Sequence, residues 1–303
     1  MLQKSEINST TEAQRLRDFL ELYLSMLLQI ISWLHKHRTL NVLCVFIYGV
    51  ALIFCHDFFV KISVNAMNNL SLPVYNKVVL IVSICGGVAV FASLLYMLLK
   101  TKECRNRKLF FLLITSLLIA LHYTFLFEMN IEVVHVLEFT LLSVLLFPLL
   151  GSFGASVAFT LPCIFVNEWY QYVVLYPGSI QYFEFNDVVI DLLGCGMAMI
   201  FLWIAGVKPH NNPDAFFKRP ELILLLSINL LVAVLLATCV FAFYPEGRCD
   251  NTFLILNQLQ NPHLFWQTHV YGAVYHVMNP LEGLVAVNGV CLLFACMDFA
   301  APK

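Results

Sequence analysis

Residues 78–99 read VVLIVSICGGVAVFASLLYMLL, a stretch with no charged side chain, bounded by Lys77 and Lys100. A helix rises about 1.5 Å per residue, so about 20 apolar residues cross the hydrocarbon core of a bilayer. Within that core each backbone N–H and C=O must be paired inside the segment, and the stretch therefore reads as a transmembrane helix. Seven further runs have the same character, at 41–59, 109–127, 133–150, 155–175, 188–207, 222–243 and 281–299. All are continuously apolar and do not alternate apolar with polar residues, which rejects a transmembrane β-barrel.

Composition agrees. Hydrophobic residues make up 60% of the 303 residues and charged residues only 12%, against about 25% charged in a soluble domain. Mean hydropathy is +0.82. Too little polar surface remains to disperse such a chain in water, which excludes a soluble enzyme, a disordered tail and a small secreted domain. The 17 basic and 19 acidic residues nearly cancel, so no basic face exists for nucleic acid. The fold class is all-α: a polytopic integral membrane helical bundle of about eight transmembrane helices.

Ahead of the first run, Thr11 to Leu34 places Leu16, Phe19, Leu20, Tyr23, Leu24, Leu27 and Ile31 at three- and four-residue spacing, the mark of an amphipathic helix lying on the membrane surface. A ninth, tilted span is the alternative. Glu6, Glu12, Asp18 and Glu21 interrupt the stretch, so it is not a signal peptide. Cytoplasmic loops carry excess Lys and Arg. The segment Lys100 to Lys108 is the most basic, and placing it inside puts His35, Lys36, His37, Arg38 and the loop 208–219 inside with it. With both termini cytoplasmic, only Lys61, Lys77 and Arg248 fall outside. Four regions follow: 1–38, the N-terminal amphipathic helix; 39–108, a two-helix extension; 109–207, a four-helix core; and 208–303, two helices with an extracytoplasmic His and aromatic segment. Eight of the ten cysteines lie in or beside apolar runs, leaving Cys104 inside and Cys249 outside. Those two cannot pair, and the cysteines read as small packing residues.

Ionisable groups within spans are costly, and each is a candidate for function. On this topology His56, Asp57, His122, Glu128, His135, Glu138, Glu168, Gln171, Asp187, Asp191, His276 and Glu282 all fall towards the outer ends of spans, and the inner halves are nearly empty. A polar chamber open to the extracytoplasmic side is the common cause. His135 with Glu138 and Glu168 with Gln171 are three apart, and Asp187 with Asp191 four apart, so each pair shares a helix face. Short connections make the three helices antiparallel neighbours. Their facing sides then bring four carboxylates and one imidazole into a small volume, which requires a shared proton or cation.

HisValLeuGluPhe at 135–139, AsnGluTrpTyrGln at 167–171, ProGly at 177–178 and AspValValIleAspLeuLeuGly at 187–194 together resemble the VanZ-like family, named for a teicoplanin-resistance protein. The likeness covers about residues 109–207. His135, Glu168, Gln171, Asp187 and Gly194 match the family pattern, while Asp191 stands where Asn is usual. No Arg follows Pro177 and Gly178, and Glu132 replaces a basic residue ahead of the histidine. The resemblance implies a cell-envelope protein of the bacterial plasma membrane, linked to glycopeptide susceptibility, that engages an outer-leaflet amphiphile: a lipid, a lipid-linked cell-wall component or a lipoglycopeptide. His135, Glu168 and Asp187 are the candidate catalytic groups, with Glu138, Gln171 and Asp191 binding substrate or orienting them. In the chamber's chemistry His135 and Glu168 handle protons and Asp187 and Asp191 hold a cation or hydroxyl groups. A buried network that fixes helix register is the alternative for the same residues, and Gly194, Gly196 and Ala198 read as close-packing positions.

The segment Asn261 to Asn279 carries His263, His269 and His276, the last two seven apart and on one face if helical. A divalent cation, zinc, on His269 and His276 with a carboxylate makes a second reading, an intramembrane lipid hydrolase like the ceramidase and adiponectin-receptor group. Trp266, Tyr271 and Tyr275 favour an interfacial aromatic helix instead. A non-catalytic membrane assembly protein is the third reading. No Walker loop, dinucleotide fingerprint or nucleophile elbow occurs, and neither internal repeats nor paired Gly- or Pro-broken spans mark a transporter.

Overall fold

The computed structural model of the chain describes residues 22, 25–210, 218–268 and 274–301. Among these, seven helices are long and apolar enough to cross a membrane. They are α1 (Arg38–Leu70), α2 (Leu72–Lys100), α3 (Arg105–Phe125), α4 (Asn130–Leu150), α7 (Phe185–Ile204), α8 (Pro220–Ala237) and α9 (Pro280–Ala300). Together they suggest a multi-pass integral membrane protein. Most of the proposed N-terminal amphipathic helix, residues 11–21 and 23–24, lies outside the described residues; 25–36 are helical, with Ile31 and Leu34 buried.

The expected fifth span, 155–175, is not one helix. It is divided into α5 (Phe153–Ala158), α6 (Leu161–Tyr170) and a π-helical turn, Gln171–Leu175. Pro162 accounts for the division: it has no N–H for the carbonyl of Ala158, and its ring crowds that carbonyl. The fourth span is interrupted as well. It begins as a 3-10 turn, Asn130–Val134, runs helically over His135–Glu138, bends at Phe139 and resumes at Thr140. The bend falls here and not at Pro148, which sits inside the resumed helix. Thr140 Oγ1 donates to the Val136 carbonyl at 2.7 Å, a back-bond that bends helices. Cys195 Sγ lies 3.4 Å from the Phe139 carbonyl that the bend turns outward.

Helix α7 is the axis of the bundle. Nearly all of it is buried, and α3, α4, α5, α6 and α9 pack around it. Its glycines permit the approach: a Cβ at Gly194 would overlap the Val136 carbonyl, and one at Gly196 would overlap the Phe294 ring. By contrast α1 and α2 expose most of their apolar side chains, the side that lipid covers. They continue helically almost to one another, with Ser71 at φ 63° making the turn, where a longer outer loop was expected.

The span ends on which few ionisable groups were expected are not empty of charge. Asp298, near the end of α9, is fully buried and accepts from Ser152 Oγ at 2.7 Å and from the backbone N–H groups of Phe153 at 2.7 Å and Gly154 at 2.8 Å. It caps α5, where a helix presents unpaired N–H groups and positive partial charge. Arg219 Nη1 lies 3.9 Å from Asp298 and donates to Glu221 at 3.1 Å, with its guanidinium over the Phe299 ring.

The described residues of the loop after α8 form a cap of short extended pieces. Strand β1 (Phe241–Ala242) pairs in parallel with β2 (Leu254–Ile255), and β3 (Gln267–Thr268) pairs antiparallel with β4 (Val274–Tyr275). The described residues of the expected interfacial helix, 261–268 and 274–279, are therefore turns and short strands, while His269 lies outside the described residues. Cys239 pairs with Cys249 in a disulfide, which corrects the reading of all cysteines as packing residues. Helix α8 ends at Ala237, before the apolar run does, so Cys239 leaves the helix in a left-handed turn, φ 56°, and reaches its partner.

Candidate functional site

The bend in α4, the π turn after α6 and the first turns of α7 meet beneath this cap. His135 lies at their centre. Its Nδ1 is 3.1 Å from Glu138 Oε2 and 3.4 Å from Asp191 Oδ1, and its Nε2 is 3.3 Å from Asp187 Oδ2. From α6, Glu168 Oε1 accepts from Asn167 Nδ2 at 3.1 Å and from Gln171 Nε2 at 3.0 Å. Donor atoms of His135, Glu168 and Asp191 lie within 4.8 Å of one another, as do those of Glu168, Glu184 and Asp187. All six residues singled out for the chamber, His135, Glu138, Glu168, Gln171, Asp187 and Asp191, are thus brought together.

The cluster is almost dry. His135 is 5% exposed, Glu168 2%, Asp187 4% and Asp191 0%. The side chains of His56 and Glu138, 3.7 Å apart, are somewhat more open, at 11% and 13%. They sit between α1 and α4, and the Glu138 carbonyl also accepts from Tyr48 of α1 at 3.2 Å. Not every buried polar atom is satisfied: Asp191 Oδ2 and Asn167 Oδ1 have no hydrogen-bond partner, and the ion pairs of His135 Nδ1 with Glu138 and Asp191 Oδ1 lack hydrogen-bond geometry. Unpartnered polar atoms are rare in folded interiors and call for a bound group.

Local sequence explains the positions. Asp187 falls in the first turn of α7, where the helix dipole favours a carboxylate. Asp191 is one turn further on the same face. Helix π turns gather at functional sites because the extra residue re-aims side chains, and Gln171 opens this one. Two participants escaped the sequence reading. Glu184, just before α7, shares a hydrogen bond with Asp187; burial first, then the neighbouring Asp187 and Glu128 carboxylates, hold its carboxyl well above the usual range. Asn186 ties the start of α7 to the cap by donating to the Leu126 carbonyl at 2.9 Å and the His276 carbonyl at 2.8 Å, and by accepting from Met278 N at 3.1 Å. Glu184 stands three residues before Asp187 and seven before Asp191, a helical spacing that was its signal in the sequence, whereas Asn186 stands at no helical repeat from another candidate.

Above the cluster, Tyr182 and Tyr275 share a hydrogen bond; burial and then Glu184 hold the Tyr182 phenol well above its ordinary value. The π turn joins the cap as Tyr172 OH donates to the Ile255 carbonyl at 2.7 Å. Of the two histidines considered for zinc, His269 lies outside the described residues. His276 is already engaged: Nδ1 donates to the Phe265 carbonyl at 2.6 Å and Nε2 is 3.1 Å from Glu282. Its ring stacks on Phe265, so it holds the cap to α9 through a side chain that also closes the Asn279 capping box. Comparison with protein-family models, with curated proteins and with solved structures finds no match.

Proposed function

We propose that the chain is a VanZ-like protein of the bacterial cell envelope whose polar chamber binds the head group of an outer-leaflet amphiphile, a lipid, a lipid-linked cell-wall component or a lipoglycopeptide. The observation that carries this is His135 lying within 3.4 Å of three carboxylates from two helices. Such a group of ionisable side chains inside a membrane protein costs several kcal/mol unless it serves a task. The chamber suits a ligand with hydroxyl or amide groups: His135 and Glu168 exchange protons with it, Asp187 and Asp191 accept from it or hold a cation, and Gln171 orients Glu168. Entry runs between α1 and α4, past His56 and Glu138, the more open members of the cluster. That is a lateral path, which an amphiphile takes without leaving the bilayer.

In this reading α5, α6 and the π turn together make the eighth crossing, and both termini are cytoplasmic. The disulfide supports the same orientation. Disulfides persist in oxidising compartments and are rare in the cytosol, and Cys239–Cys249 lies in the loop that the basic residues place outside.

The test is growth of a bacterial host expressing the chain in the presence of teicoplanin. Raised resistance that is lost in Glu168→Gln and Asp187→Asn, with both variants folded and at normal abundance, supports the reading. Unchanged resistance in both variants points to a non-catalytic assembly protein and removes it. The hydrolase reading built on His269 and His276 needs a free imidazole, and both ring nitrogens of His276 are engaged.

A further inference from the structure

We infer that the chamber is a divalent-cation site, with His135, Glu168 and Asp191 as its protein ligands. The inference deepens the reading of this chamber as the functional site and names what completes it.

Three observations carry it. The first is geometry: one donor atom from each of the three residues lies within 4.8 Å of the others, and all three residues are buried. The second is satisfaction. Asp191 is fully buried, yet its Oδ1 has only the His135 Nδ1 at 3.4 Å, without hydrogen-bond geometry, and its Oδ2 has no hydrogen-bond partner. An ionic group removed from water costs several kcal/mol unless it is paired with good geometry, and this poorly paired carboxylate is one of the three grouped ligands. The third is charge. Glu138, Glu168, Glu184, Asp187 and Asp191 surround the His135 imidazole, with the His56 ring at the edge beside Glu138, and the contacts of these residues described above include no Lys or Arg. An acidic chamber of this kind repels a phosphate or carboxylate head group, whereas a bound cation attracts it.

The ligands differ in how they are held. Glu168 is oriented through Oε1 by Asn167 and Gln171, which leaves its other oxygen for the ion; oriented ligands of this kind are usual at metal sites. Glu168 also belongs to the second grouping with Glu184 and Asp187, so it stands between the ion and the Tyr182 side of the chamber. One imidazole nitrogen with carboxylate oxygens is a donor set for Zn²⁺ and Mn²⁺, and the absence of thiolate among these ligands argues against softer metals. The chain supplies only three ligands to the ion, and the remaining coordination positions face the route past Glu138, where a head-group oxygen would bind.

The experiment uses the full chain purified in detergent, stripped with a chelator, then given Mn²⁺ or Zn²⁺ alone. Bound metal is counted by mass spectrometry, and Mn²⁺ affinity is measured by electron paramagnetic resonance. About one ion per chain is expected, with affinity falling at least about tenfold in Asp191→Asn and in Glu168→Gln. Metal should also raise the melting temperature of the wild type but not of Asp191→Asn, a readout that shows whether the variant is folded. Stoichiometric binding retained equally by both variants, or no binding of either ion by folded wild-type protein, overturns the inference; the second result means that protons alone balance the chamber. Metal binding is read without any amphiphile. A chain that binds the ion but leaves teicoplanin resistance unchanged therefore refutes the proposed function and not the site.

Discussion

At the residue scale, two buried carboxylates have opposite surroundings. Asp298 accepts three hydrogen bonds at the start of α5, whereas Asp191 accepts none. The first is therefore a structural group, and the second is held ready for something else. Replacing Asp298 by Ala leaves the Ser152 hydroxyl and two N–H groups without their acceptor and leaves Arg219 with Glu221 but not Asp298, which should cost about 3 kcal/mol; a lowered melting temperature in detergent, with no change in metal binding, is the expected outcome. Replacing Asp191 by Asn keeps the shape and removes the charge. In the absence of metal it should leave melting unchanged or raise it, because a buried charge whose imidazole partner is shared with Glu138 and Asp187 is lost. Asp191 was legible from its four-residue spacing to Asp187. Asp298 was not, since a lone acidic residue near the end of an apolar run says nothing about the helix N-terminus it will meet.

At the scale of elements, the site depends on helices that are not continuous. Spans four and five carry the His135 to Glu138 pair and the Glu168 to Gln171 pair, and each is interrupted beside its pair. Backbone irregularity at membrane depth is tolerated only where protein or a polar cavity surrounds it, and α7 provides that surrounding. Gly194 is the hinge of this arrangement because its missing side chain admits the Val136 carbonyl. Gly194→Val should destabilise the protein by about 1–3 kcal/mol, and by displacing the turn that carries His135 it should also weaken Mn²⁺ binding. Gly289→Ala, whose added Cβ meets nothing within 4 Å, should leave metal affinity unchanged and melting unchanged or slightly raised, since Ala favours the helix interior, and serves as the control. Pro162 marks the irregularity in the fifth span, since a proline cannot continue the helix ladder. The bend at Phe139 had no such mark, because Thr140 and Cys195 create it only when they face the fourth span's own carbonyls.

At the scale of the whole molecule, a buried half built on α7 and α9 carries the site, while α1 and α2 lie along it with most of their surface towards lipid. The hairpin is nonetheless fastened at both ends. Asn41 and His35 reach the Leu145 and Pro148 carbonyls on the inner side, and Asn76 receives Asn130 N on the outer. Orientation has a direct measurement. In intact cells a membrane-impermeant maleimide should label Cys249 only after treatment with an impermeant reductant, and should not reach Cys104. Labelling of Cys104 from outside would reverse the topology and place the chamber on the cytoplasmic side.

The sequence by itself determined that the chain spans a membrane as helices, because apolar length and backbone satisfaction are local properties. It also determined which polar residues face one another, because helical spacing aligns pairs on one face and short connections make neighbours of successive spans. Only the tertiary structure decided that Glu184 meets Glu168, that Asp298 caps α5, that Cys239 meets Cys249 and that the loop after α8 is a strand-built cap in which His276 is already bound. Each of these joins groups far apart in the chain or removes a residue from the helix its composition favours, and no periodicity records where two such groups come to lie. The unsatisfied oxygens of Asp191 belong to the same class, for whether a buried group lacks a partner depends on everything packed around it.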